Sequence, residues 1–271
     1  MKANKIAPSR RVGLAATIAA LILCALGGAA LFGYGKLRDL YHEQCLITDM
    51  PRQVSITAGK MVHPSNIAEC LGLKPGANLA DIDFDRRRQE LLAEVPNLRA
   101  IRIRRILPDR IVVESEERTP VARMGVKGSR QPTGLVVDTE GMVFAWQRGT
   151  QTLPIIREPN APGTPKGRRI TGRTLAALRL IEACREPDLG ELAVLEVDVS
   201  KRDFLVATLS TYAKVKISWN EMDEQTPASR SDLLARLRNL VAAIRSNVAP
   251  DTVIWNATVP GRIFADTQKK P

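Results

Sequence analysis

The sequence predicts an α+β protein: a single N-terminal transmembrane helix, a small β-α-α-β-β domain, and a mostly antiparallel β domain with flanking helices. Three observations lead there. Residues 12–35 carry no charged side chain. From there to residue 119 the patterns read strand, helix, helix, strand, strand; beyond residue 120 short strands dominate, interrupted by two helical stretches.

The uncharged run Val12 to Gly35 includes LAATIAALILCALGGAALFGYG, and about 20 apolar residues suffice to cross a bilayer as a helix. Lys2, Lys5, Arg10 and Arg11 precede it, while Lys36 and Arg38 are partly offset by Asp39 and Glu43. The positive-inside rule then puts the N-terminus in the cytoplasm and everything after Gly35 outside. A cleaved signal peptide also starts basic, but its apolar core is usually about 7 to 15 residues, so an uncut anchor is expected. Cys24 follows Leu23 in mid-span, which does not suit a lipoprotein signal.

The net charge of +11 divides into +4 for residues 1–11, +1 for 36–119 and +6 for 120–271. The excess is thus a tail and a diffuse bias. Its densest stripe, Arg99, Arg102, Arg104, Arg105 and Arg110, contains no aromatic residue; nucleic-acid surfaces combine such stripes with stacking rings or a recognition element. A solvated strand face is expected and no nucleic-acid partner. Outside the span stand three cysteines, Cys45, Cys70 and Cys184, an odd number that argues against a disulfide framework. His42, Cys45, His63 and Cys70 are irregularly spaced for a metal set. Asp81, Asp83 and Asp85 are read as charges favouring a helix N-terminus.

Residues 36–50, with Leu37, Leu40 and Tyr41 at helical spacing, read as a juxtamembrane stalk ended by Pro51. Arg52 to Ala58 alternates as a strand. His63-Pro64-Ser65 opens a short helix closed by Gly72, and a loop at 74–78 leads to a second helix over 81–94 stopped by Pro96. Strands follow at 100–106 and 110–116, joined by a turn with Pro108 at its second position. The expected core of this domain is Val54, Ile56, Leu71, Phe84, Leu92, Ile101, Ile103, Ile111 and Val113.

Past residue 120, Gly134 to Phe144 forms two strands around an Asp-Thr-Glu-Gly turn. Residues 157–172 read as a Pro/Gly-rich loop and 174–185 as a helix burying Leu178, Ile181 and Cys184. Strands are expected at 192–199, 204–209 and 213–219. An amphipathic helix capped at Ser231 or its neighbour carries Leu233, Leu234, Leu237, Leu240, Val241 and Ile244. A terminal strand at 252–258, with a return at 262–265, completes the domain on one edge of the sheet.

Motifs for catalysis are absent from the sequence: there is no G-x-S-x-G elbow, H-E-x-x-H helix, phosphate-binding loop or C-x-x-C pair. With two histidines, His42 and His63, acid–base chemistry has little material. No enzyme activity, metal or cofactor is expected.

One set of motifs resembles a family. Pro96-Asn97-Leu98 leading into the Arg-rich strand, then Pro108, Ile111-Val112-Val113-Glu114, and Glu117-Arg118-Thr119-Pro120-Val121-Ala122 look like the signature of FtsQ/DivIB cell division proteins. The segment with Asp138, Gly141 and Phe144, followed by Leu153-Pro154, resembles the opening of that family's β domain. The resemblance implies a POTRA domain over 51–119 and an FtsQ-type β domain over 120–265, between a cytoplasmic tail at 1–11, the span at 12–35, the stalk at 36–50 and a C-terminal tail at 266–271.

It further implies a divisome scaffold at the septum of the inner membrane, linked to septal peptidoglycan synthesis, with FtsB/DivIC-like and FtsL-like partners. The expected partner-binding residues lie in the terminal strands: Thr252, Val253, Ile254, Trp255, Asn256, Ile263 and Phe264. Ile254-Trp255-Asn256-Ala257-Thr258 departs from the I-D-L-R-Y-like segment most relatives carry. POTRA units also occur in envelope assembly and secretion components, the alternative reading, but those chains carry a long C-terminal barrel.

Overall fold

The computed structural model describes residues 9–129, 133–146, 149–159, 163–224, 226–246 and 254–266, with the backbone alone for 9–20, 22 and 266. In chain order the elements are α1 (Ser9–Gln44), α2 (Met50–Gln53), β1 (Val54–Thr57), α3 (Pro64–Leu71), α4 (Phe84–Glu94), β2 (Leu98–Ile106) and β3 (Arg110–Glu117). Then come β4 (Ala122–Val126), β5 (Leu135–Val137), β6 (Val143–Ala145), β7 (Ile155–Glu158), α5 (Gly172–Ala183), β8 (Val194–Asp198), β9 (Phe204–Leu209), β10 (Lys214–Ser218), α6 (Pro227–Arg245), β11 (Ile254–Ala257) and β12 (Phe264–Asp266). Two compact units result: Met1–Ala58 with His63–Arg88 and Arg102–Glu114, and Gly59–Val62 with Gln89–Ile101 and Ser115–Pro271.

Helix α1 has 36 residues, about 54 Å at 1.5 Å per residue. Among the described residues no helix is long and apolar enough to cross a membrane; the expected span at 12–35 falls in part on side chains outside that set. Beyond Gln44 the chain is not the free stalk expected. Ile47 donates its N–H to the Ala77 carbonyl (2.9 Å) and accepts from Gly76 (2.8 Å), while Leu79 donates to the Cys45 carbonyl (3.0 Å). Cys45 and Ile47 are fully buried, so an apolar pair with paired backbone fixes this exit to the 74–79 loop.

Pro51 does not stop a helix; it sits in the first turn of α2, where a missing N–H loses no partner and Asp49 caps by accepting from Arg52 (3.4 Å). The expected strand at 52–58 therefore begins only at Val54. His63 caps α3 and Gly72, at φ +74°, closes it in the left-handed conformation. Asp83 accepts the Arg86 N–H (3.1 Å), which starts α4 at Phe84 rather than Asp81.

The three-stranded sheet has the order β1-β3-β2, with β1 parallel to β3 from Val54↔Ile111 to Thr57↔Glu114. Of the expected core, Leu71, Ile101, Ile111 and Val113 are buried. Val54, Ile56, Phe84, Leu92 and Ile103 are only half-buried; Ile67 and Leu91, which helical spacing places on the inward faces of α3 and α4, are buried, and so are Leu73, Leu79 and Leu98.

The second unit is built on a nine-stranded sheet of order β12-β11-β10-β9-β8-β7-β4-β5-β6. Antiparallel pairs need only tight turns, whereas parallel neighbours need a crossover: α5 joins the parallel pair β7–β8, and α6 joins β10–β11. A third parallel pair, β4–β7, encloses the β5–β6 hairpin. Leu178, Leu180 and Ile181 of α5 and Leu233, Leu237 and Leu240 of α6 share one core with Val197, Leu205 and Val215. Thr226, not Ser231, caps α6, its hydroxyl accepting from Ser229 (3.1 Å) ahead of Pro227. Arg230, Arg238 and Arg245 pair with Glu186, Asp188 and Glu191 at 2.6–2.7 Å, tying α6 to the 3-10 turn Pro187–Leu192. Such exposed pairs contribute less than about 1 kcal/mol each.

Cys184 closes α5 inside this core, and burial pushes its thiol up to about 12. Only about one part in ten thousand is thiolate at pH 8. Mass spectrometry after N-ethylmaleimide treatment at that pH is expected to show Cys184 unmodified in the folded chain and labelled in denaturant; rapid native labelling would contradict its placement.

Candidate functional site

The two ends of the nine-stranded sheet differ. At the β6 end the backbone is taken: Val143 donates to the Arg168 carbonyl (2.9 Å) and accepts from Gly167 (2.8 Å), and Ile170 donates to Gly141 (2.8 Å). Gly167, at φ +80°, has Pro96 Cγ 3.3 Å from where a Cβ would stand, so Pro96 backs the loop that seals this edge. At the other end β12 pairs with β11 on its inner side, Ile254↔Asp266, Trp255↔Ala265 and Asn256↔Phe264, and among the described residues no strand pairs with its outer side. An edge strand left in this state offers N–H and C=O groups to another extended chain.

The predicted contact residues divide by strand alternation. Trp255, 8 % exposed, and Ala257 turn into the core, and Ile263 packs against it. Ile254 and Asn256 lie half-buried on the opposite face. Asn256 Oδ1 accepts from the Thr258 N–H (3.1 Å) and hydroxyl (2.8 Å), which ends β11 before the turn at Val259–Arg262. Phe264 is 48 % exposed and stands opposite Asn256, itself opposite Lys216, so the outer strand presents one aromatic ring, with Asn256 between it and Lys216. Thr252 and Val253 lie outside the described residues. Trp255 thus supports the strand, and the accessible elements are the β12 backbone and Phe264.

The motif residues form a hydrogen-bonded network within the second unit. Glu117 accepts the N–H groups of Lys60, Met61 and Val62 at 2.8–2.9 Å; a Cβ on Gly59 would fall 2.1 Å from that carboxyl. Arg118, 8 % exposed, donates to Asp138 (2.5 Å) and Glu140 (3.0 Å). Asp138 in turn accepts from the Glu140 and Met142 N–H groups (3.0 and 2.8 Å), shaping the turn in which Gly141 takes φ +78°. Arg118 and then Arg99 hold the Glu140 carboxyl below its ordinary value by hydrogen bonding. After Pro120, Val121 donates to the Val137 carbonyl (2.8 Å), and Arg123 donates its N–H to Pro154 (2.8 Å) and its Nε to Leu153 (3.1 Å). Phe144 is fully buried, edge-on to Trp146 at 5.9 Å. Pro108 lies in the β2–β3 turn.

The amide of Asn97, a residue of the Pro96-Asn97-Leu98 motif, donates to the Ala145 carbonyl (2.7 Å), and sequence reasoning missed buried Glu158, which accepts from Thr164 and Thr174. Glu158 belongs to no periodic pattern, and the role of each is set by tertiary pairing. Both histidines have structural duties: His63 caps α3, and His42 meets Asp81 (2.9 Å) and Asn78 (2.7 Å). Among the described residues no cluster of three or more His, Cys, Asp or Glu could hold a metal. A cleft of about 700 Å³ between α5 and the start of α6 contains Arg179, Arg185 and Arg230, but each already donates to Glu182, Val121 or Glu186.

Comparison with known proteins agrees with this architecture. Residues 51–118 match the model of the POTRA domain, FtsQ-type, a segment that corresponds to β1 through β3. The chain is similar to the cell division protein FtsQ of Streptomyces collinus, 26 % identical over 167 residues, covering 59 % of this chain and 57 % of that protein. It is also similar to the cell division protein FtsQ of Streptomyces bingchenggensis (strain BCW-1), 25 % identical over 224 residues, covering 82 % of this chain and 80 % of the relative. The match thus spans little more than half of the first relative.

Proposed function

We propose that this chain, which belongs to the FtsQ/DivIB family of cell division proteins, works by binding and not by catalysis. Anchored in the cytoplasmic membrane by α1, it holds a POTRA domain over 51–119 and a β domain over 120–265 outside the cytoplasm. There it gathers other division proteins, FtsB/DivIC-like and FtsL-like chains among them, at the septum and links their assembly to septal peptidoglycan synthesis. The observation that carries this reading is the asymmetry of the large sheet: the β6 edge is closed by the protein's own loop, and the β12 edge has no partner strand among the described residues.

Two features support the anchor. Residues 12–35 carry no charge, and along α1 the side chains of Leu21, Leu23, Leu26, Leu31 and Phe32 are 62–75 % exposed. Five large apolar groups facing water on one helix are unfavourable by about 1.5–3 kcal/mol each relative to burial, a cost that a bilayer removes. In intact cells a tag after Pro271 is expected to react with a membrane-impermeant reagent and a tag before Met1 is not. A cytoplasmic Pro271 would overturn the topology, and with it this function.

A further inference from the structure

Many of the exposed large apolar side chains outside the span gather in the first unit: Leu37, Leu40, Tyr41 and Leu46 along the exit of α1, and Ile106 and Leu107, 51 % and 62 % exposed, at the β2–β3 turn. The two groups are held together. Gln53 Nε2 donates to the Leu46 carbonyl (3.1 Å) and to Asp109 (3.4 Å) in the turn. Arg105 donates to the Leu79 carbonyl, and Leu79 is bonded to Cys45. The Tyr41 phenol, raised chiefly by its hydrogen bond with Cys45, also feels the opposing charge of Arg105.

A surface turn normally carries polar residues, Gly or Pro; Ile106-Leu107 before Pro108 gains nothing in water. Arg52, Arg104, Arg105 and Arg110 surround the turn and are exposed, against Asp109 in the turn and Glu114, the latter paired with Arg104 (2.8 Å). Asp39, Glu43 and Asp81 lie on or beside the helix exit, Asp81 paired with His42 (2.9 Å).

On the reading of α1 as a membrane span, the level of this patch can be placed. The uncharged run ends at Gly35, and Tyr34 and Tyr41 bracket Lys36 and Arg38. Tyrosines favour the interface, and seven helical residues rise about 10 Å, comparable to the roughly 5–8 Å of headgroups on each side of a bilayer. Tyr41 then marks the outer limit of the headgroup layer, and the turn is tied beside it.

We propose that the β2–β3 turn is a second membrane contact, seated in an anionic headgroup layer of the same bilayer, with Ile106 and Leu107 inserted and Arg104 and Arg110 against lipid phosphate. It would restrain the first unit at the membrane surface, so that α1 is not its sole attachment.

The test rests on the spanning reading and separates the two. The full chain carries the photo-crosslinker p-benzoylphenylalanine in place of Phe32, Leu107 or Tyr212 and is reconstituted in nanodiscs of phosphatidylcholine with or without phosphatidylglycerol. Mass spectrometry is expected to find lipid adducts at position 32 in both lipids, at position 107 mainly with phosphatidylglycerol, and none at 212. Combining Arg104→Glu with Arg110→Glu is expected to cut the adduct at 107 by at least about thirtyfold, at roughly 1 kcal/mol per basic residue near an anionic surface, with the melting curve unchanged. Adducts at 32 without any at 107 overturn the turn contact and leave the span standing. The same result follows if, in cells, position 107 captures a protein in place of lipid. No adducts at 32 remove the spanning reading and this proposal with it.

Discussion

A chain ending at Thr258 is expected to lose capture of the proposed division partners by at least about tenfold in a pull-down, while retaining membrane insertion and its melting behaviour. The truncation removes the Val259 turn and β12 but spares β11, whose Trp255 and Ala257 are buried; cutting before β11 would uncover Val215 and Ile217 and confuse lost folding with lost binding. The size follows from losing a row of backbone hydrogen bonds with the strand that offers them. Phe264→Ala is expected to weaken capture less, because strand addition depends on the backbone and draws only selectivity from side chains. If the shortened chain pulls down its partners at wild-type level, the binding edge lies elsewhere.

The second large effect is on stability. Arg118→Met leaves Asp138, 3 % exposed, without its 2.5 Å partner, and breaking one side of a buried ion pair costs about 3–5 kcal/mol. Urea unfolding of the full chain in detergent is expected to show a loss of that size, and Arg118→Met combined with Asp138→Asn a smaller one, since the amide oxygen still accepts from Glu140 and Met142 and no buried charge then lacks a partner. Equal losses in the single and double variants would show that packing, not charge, dominates the site. The penalty also depends on pH. Glu140 is depressed below its ordinary 4.5 by Arg118 and Arg99, so its contribution is complete above pH 4.5 and fades as pH falls through the lower folded value. The difference between Arg118→Met and wild type therefore narrows in acid.

The element order and most element types were legible because each rests on local chemistry. Pro64 and Gly72 bound α3 through fixed φ and the left-handed cap, and the period-two runs of β3, β9 and β10 appear where they were read. The misses are equally local in origin. Pro51 reads as a helix stop or a helix start, and only the Asp49 cap selects the start. The segment 45–47 is too short to show a period, and its burial is decided by a loop some thirty positions away. Of the contact residues, Trp255 and Phe264 look alike as apolar residues near the chain end; register against β10 and β12 sends the first inward and leaves the second outside.

By itself the sequence determined the composition of the parts: an uncharged N-terminal run, a β-α-α-β-β domain, a strand-rich domain with two amphipathic helices, and motif residues in a recognisable order. Hydrophobic period, proline and glycine act over a few residues, so they survive in one dimension. The tertiary structure alone decided that β10 and β11 lie parallel, that one sheet edge is closed by residues 167–170, and that Arg118 and Asp138 meet as a buried ion pair. Edge exposure and buried ion pairs are properties of which distant segments meet, and residue order encodes that meeting only through the packing of the whole chain.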